Sequence, residues 1–181
     1  RFINNRAGAI LLDTYGRAKL TVVDSGFIGN QAGAGAAILG AGVGNCSTSG
    51  GGVVITGSHF RGNKTTAGGE GGAIRLAEYG GSYTKVAISN SDFEGNESGS
   101  GGAIYVGSSC YSRFSQLTFK NNSASSSGGA LYFNARSYPA TAGPTLDGLV
   151  FEGNIARDGG GMHLTSGNDS SASLSSLLFL N

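Results

Sequence analysis

The sequence predicts an all-β fold: a right-handed parallel β-helix of about six to seven coils, with three short strands per coil and 25–33 residues in each. Three observations carry this. Phe-x-x-Asn occurs six times, at Phe2 to Asn5, Phe27 to Asn30, Phe60 to Asn63, Phe93 to Asn96, Phe119 to Asn122 and Phe151 to Asn154, and Phe179 opens a further copy. The steps between the phenylalanines are 25, 33, 33, 26, 32 and 28 residues, the period of a solenoid in which each repeat stacks on its neighbour. No stretch of about 10–12 residues has the apolar period of a helix, which sets aside α-helical solenoids.

Each part of the coil has its own reason. Ahead of the phenylalanine runs a segment of two-residue alternation, as in Leu20-Thr21-Val22, Val53-Val54-Ile55 and Val86-Ala87-Ile88, which reads as a strand. Three positions before the phenylalanine comes a turn-prone residue, Asp24, Gly57, Asn90, Gln116, Gly148 or Ser176, predicting a bend. The phenylalanine strand follows. The third strand opens at a second motif, Gly35-Ala36-Ala37-Ile38, Gly71-Gly72-Ala73-Ile74, Gly101-Gly102-Ala103-Ile104, Gly128-Gly129-Ala130-Leu131 and Gly159-Gly160-Gly161-Met162, shortened to Gly8-Ala9-Ile10 in the first coil. The paired glycines fit a corner that needs positive φ or has no room for a β-carbon. They open a strand and not a helix, so they are no phosphate loop.

Strands wound with one sense pair in parallel, so equivalent residues lie above one another at about 4.8 Å. Phe27, Phe60, Phe93, Phe119 and Phe151 are expected to stack inward, and Ile38, Ile74, Ile104, Leu131 and Met162 to fill another wall. Asn30, Asn63, Asn96, Asn122 and Asn154 are expected to form an amide ladder, since each amide can donate to one neighbour and accept from the other.

Composition narrows the function. The net charge of +1 leaves no electrostatic footprint for nucleic acid or an anionic membrane surface. No run of about 18 apolar residues occurs, so nothing in this segment reads as a membrane span. No signal peptide opens the chain, and both ends fall inside a repeat. Residues 1–181 therefore read as a single β-helix segment of a longer protein.

The alternating Phe-x-x-Asn and Gly-Gly-Ala-Ile/Leu motifs resemble those of the chlamydial polymorphic outer membrane proteins and of related secreted β-helix proteins, over nearly the whole chain from Phe2 to Phe179. The resemblance implies a surface-exposed passenger involved in adhesion, without a shared catalytic set and without a cofactor. It implies an extracellular or cell-surface location. The expected partners are further coils or subunits of one assembly, glycans, or host or cell-surface proteins.

Two outward columns are the candidate faces. Ile3, Ile28, Arg61, Glu94, Lys120, Glu152 and Leu180 follow the phenylalanines, and the alternating charges in the middle suit neighbouring coils. Glu94 and Glu152 are the one carboxylate pair considered for glycoside chemistry, but two coils, about 10 Å, part them. The second column follows the aliphatic position. Its members Arg75, Tyr105, Tyr132 and His163 form the candidate ligand face, suited to a sugar or a partner protein, although aromatic neighbours also simply stabilise sheets. The remaining aspartates are scattered, and His59 sits on a different strand from His163, so no metal or catalytic set emerges. Cys46 and Cys110 are a candidate disulfide if the long loop from residue 41 to 52 crosses a coil. Of five Asn-x-Ser/Thr sequons, Asn63 and Asn96 belong to the ladder, leaving Asn45, Asn121 and Asn168 as candidate glycosylation sites. The expected function is a non-enzymatic extracellular adhesin or rod, with a carbohydrate-binding or carbohydrate-active module as the alternative.

Overall fold

The computed structural model describes residues 1–13, 19–41, 52–77, 84–107, 109–134, 144–165 and 172–181. These contain strands, turns and bends but no helix, and they form three sheets of ten, six and four strands. All pairings are parallel and run from coil to coil in the register of the motifs: Phe2 with Phe27, Phe27 with Phe60, Phe60 with Phe93, Phe93 with Phe119, Phe119 with Phe151 and Phe151 with Phe179. The fold is a parallel β-solenoid.

The division of the coil differs from the expected one. The segment before the phenylalanine and the phenylalanine strand share a single sheet, and in three coils they fuse into the continuous strands Thr84–Glu94, Ser109–Lys120 and Thr145–Glu152. The bend between them is one left-handed residue, with φ of 46° at Asp24, 49° at Asn90 and 53° at Gln116. One such residue kinks a strand without turning it onto a new face, so pairing resumes on the far side. The third sheet is built instead by the residues after the asparagine, Gln31–Ala32, Lys64–Thr65, Glu97–Ser100 and Ser123–Ser127. Among the described residues, coils with a strand on all three faces therefore number four, fewer than the six to seven expected. Outside them the third face keeps, among the described residues, only single bridges: Arg6 with Gln31 on one side, and Ser123 with Ile155 and Ser127 with Asp158 on the other.

The core follows from this register. The phenylalanine rings stack with centroids 4.7 to 5.1 Å apart and nearly parallel planes. Burying each of the inner rings, Phe27, Phe60, Phe93, Phe119 and Phe151, contributes roughly 1.5–3 kcal/mol. Ile38, Ile74, Ile104 and Leu131 are fully buried on the opposite wall, and Phe114 meets Phe133 edge to face at 5.8 Å. The Gly-Gly corner has two separate causes. The first glycine takes φ of 63° at Gly101 and 66° at Gly128, while a β-carbon on the second, Gly102, would lie 1.9 Å from the Gly129 carbonyl oxygen of the next coil.

The asparagines are the polar part of this core, and Asn30, Asn63, Asn96 and Asn122 are completely buried. Each spans three coils. Asn96 Nδ2 donates to the Phe60 carbonyl of the coil before, at 2.9 Å, and to Asn122 Oδ1 of the coil after, at 2.9 Å. Its Oδ1 accepts from the backbone N and from Nδ2 of Asn63, at 3.0 and 2.9 Å. The side chain thus satisfies both its donors and its acceptor without water. A second, shorter ladder joins the hydroxyls of Ser58 and Ser91 to the backbone amides of Ser25 and Ser58.

Asn96→Asp should therefore destabilise the chain by about 3 kcal/mol or more, because a carboxylate oxygen would face two acceptors in a site without solvent. Glu94→Gln, on the exposed side of the same coil, should cost less than about 1 kcal/mol. Thermal or chemical unfolding of the two variants measures the difference, and equal shifts would contradict the inward placement of the amides.

Candidate functional site

The aliphatic strands Ile38–Ala41, Ile74–Ala77, Ile104–Val106, Leu131–Asn134 and Met162–Thr165 alternate their side chains, so that with the aliphatic residue inside the next one faces outward. Register then places Leu39, Arg75, Tyr105, Tyr132 and His163 in one column. Arg75, Tyr105, Tyr132 and His163 are brought together.

The two ends of this column differ. At Arg75 the groups are engaged. The Gly-Gly corner turns the chain back so that Glu70, five residues earlier, meets the guanidinium with Arg75 Nε 2.7 Å from Oε2, and both side chains are largely covered. Tyr105 also bonds the Glu70 carboxylate. Burial above all, and then the Glu70 charge and hydrogen bond, push the Tyr105 phenol up from 10.0 to about 12. The ring lies over Gly107, where any β-carbon would approach it to 3.1 Å. At the other end the rings stack on one another: Tyr105 on Tyr132 at 4.8 Å and 7°, and Tyr132 on His163 at 5.1 Å and 3°. Among the described residues neither the Tyr132 hydroxyl nor the His163 ring has a hydrogen-bond partner.

This geometry decides what the column can offer. Because each ring covers its neighbour's face, a sugar cannot lie flat between them. What points outward is a row of ring edges, with a phenol and an imidazole spaced by one coil. Such edges can donate to and accept from hydroxyls or peptide groups of a ligand running along the solenoid axis.

The phenylalanine face carries charge pairs. Arg61 Nε lies 3.2 Å from Glu94, and Lys120 Nζ lies 2.8 Å from Glu152, a contact that raises the Lys120 pKa through hydrogen bonding and then charge. Both members of the considered carboxylate pair thus have a cation against them. His59 and Asp92 also form a hydrogen-bonded pair, with Arg61 3.9 Å from the same carboxylate, and Lys64 pairs with Glu97 at 2.8 Å on the third sheet. Sequence reasoning missed these two pairs and Glu70. The signal was present for the pairs: His59 and Asp92 each precede a phenylalanine, and Lys64 and Glu97 each follow a ladder asparagine. For Glu70 the only signal was an acid one turn ahead of Arg75.

Among the described residues no group of three or more His, Cys, Asp or Glu could hold a metal ion. Asn121 is exposed at a corner with φ of 52°. Cys110 lies on the strand Ser109–Lys120, while Cys46, Asn45 and Asn168 lie outside the described residues.

A family model described as the Chlamydia polymorphic membrane protein (Chlamydia_PMP) repeat matches residues 90–107 and 116–134. Each match begins at a left-handed bend, Asn90 or Gln116, and runs through Phe-x-x-Asn to the aliphatic strand, the greater part of one coil of this solenoid. The chain is thus a parallel β-solenoid that carries repeats of that kind. Neither a curated protein nor a solved structure matches it.

Tyr105 gives this site a pH signature. Between pH 10.0 and about 12 the folded chain holds a phenolic proton that the unfolded chain has lost, so stability is whole below that window and falls as pH rises through it. Tyr105→Phe should remove that slope. Alkaline unfolding curves of identical slope in the two proteins would contradict the half-buried, Glu70-bound phenol.

Proposed function

We propose that this chain is a non-enzymatic extracellular β-solenoid, acting as a surface adhesin or as a rod in a fibrous assembly, and that it contacts its ligand along the column Arg75, Tyr105, Tyr132 and His163. The observation that carries the reading is the contrast within that column. Glu70 and Arg75 hold Tyr105 in place, and the stack transmits this order to Tyr132 and His163, whose polar edges have no hydrogen-bond partner among the described residues. Rigid groups on a sheet lose little entropy on binding. The repeat match supports a surface location and a passenger role. A glycan or an extended peptide of a cell-surface protein fits a row of donors and acceptors spaced by one coil.

Binding of the chain to a glycan array and to cultured cells tests this. Tyr132→Phe keeps the ring and the stack but removes the hydroxyl, and should weaken binding by about tenfold, the worth of one hydrogen bond. Tyr105→Ala combined with Tyr132→Ala should abolish it while the β-sheet circular dichroism persists. Polysaccharides incubated with the chain, with or without calcium, should release no sugar. Unchanged binding by the double variant would remove this face from consideration, and sugar release lost on replacing Glu94 or Glu152 would establish an enzyme.

A further inference from the structure

We infer that Asn63 and Asn96 are N-glycan acceptors in the unfolded chain whose occupation is incompatible with the folded coils, so the solenoid must form on a route where neither receives a glycan. Two sequons fall on the buried ladder, Asn63-Lys64-Thr65 and Asn96-Glu97-Ser98. In transfer, the amide nitrogen loses a proton and bonds the anomeric carbon of a glycosyl pyrophosphate donor, whose pyrophosphate leaves. One Nδ2 hydrogen remains afterwards.

The fold uses two. Asn63 Nδ2 donates to the Phe27 carbonyl at 3.0 Å and to Asn96 Oδ1 at 2.9 Å, and Asn96 Nδ2 donates in the same way to Phe60 and Asn122. A glycosylated amide would forfeit one of these two buried hydrogen bonds, and the sugar would have no space at residues that are 0% exposed. Folding, conversely, hides the sequon. Thr65 is 3% exposed and Ser98 6%, with the Ser98 hydroxyl bonded to the carbonyls of Ser100 and Gly101. Transfer and folding at these two sites therefore exclude each other, and whichever comes first decides. Asn121-Asn122-Ser123 differs, since Asn121 is exposed in the folded chain and stays available.

The structure also supplies a clean probe. Thr65 Oγ1 is buried without a partner, so Thr65→Val destroys the Asn63 sequon and removes an unpaired hydroxyl at nearly constant shape. Ser98→Ala destroys the other.

The 181-residue chain would be secreted from an N-glycosylating eukaryotic cell behind a cleavable signal, and made in parallel in a bacterium lacking N-glycosylation. Site occupancy is read by mass spectrometry and folding by protease resistance. Asn121 occupancy reports that the transferase reaches the chain. Glycans on Asn63 or Asn96 are expected only in retained, protease-sensitive material, and Thr65→Val with Ser98→Ala should raise the folded, secreted yield several-fold. Thr65→Ser with Ser98→Thr, which keeps both sequons, should not. The bacterial arm shows that the rescued variant folds as the parent does; if Ser98→Ala fails there, Thr65→Val alone, scored at Asn63, decides. A secreted, protease-resistant chain with a glycan on Asn63 or Asn96 would overturn the inference. So would a parent chain with both sites empty and a yield equal to the rescued variant.

Discussion

Parallel pairing from coil to coil places every residue about 4.8 Å from its counterpart above and below, and the rest of the structure depends on that distance. A column is stable only if its residues tolerate their own kind at one coil's spacing. Phenylalanine does, because rings offset at 4.7 to 5.1 Å attract. Asparagine does, because one amide both donates and accepts. Aspartate would not. On the outside the same rule favours alternation of sign, as in Arg61 with Glu94 and Lys120 with Glu152. It also turns Tyr105, Tyr132 and His163 into a pile with covered faces and open edges.

The corners answer to a second constraint, the left-handed backbone. Where a coil places a side chain there, the next coil tends to supply a glycine beneath it: Asn4 lies over Gly29, Asp24 over Gly57, Gln116 over Gly148 and Asn121 over Gly153. A polar side chain that can fold back over a bare neighbour tolerates positive φ best. Bends and faces are thereby tied to one register, and a slip by one residue would expose the phenylalanines and bury the charges.

Much of this was legible in the sequence because Phe27, Asn30 and Ile38 and their counterparts repeat in type as well as in spacing. The third sheet was not, because Gln31, Lys64, Glu97 and Ser123 have no residue type in common; backbone pairing after the asparagine holds them, and side-chain identity does not report it. The joining of the two strands across Asn90 and Gln116 was likewise hidden, since a turn-prone residue marks a bend without saying whether pairing survives it. At the candidate site the column of Arg75, Tyr105, Tyr132 and His163 could be read from its offset to the aliphatic residue. The stacking of the rings on each other, and the hold of Glu70 on Arg75 and Tyr105, required the geometry of the corner.

Hydrogen exchange of the asparagine side-chain amides, followed by NMR, tests the central claim most directly, that a dry amide ladder locks the coils in register. The Nδ2 protons of Asn63, Asn96 and Asn122 should exchange only when the whole chain unfolds, together with the most protected backbone amides, while those of Asn121 exchange freely. Exchange of the ladder amides as fast as that of Asn121 would contradict it.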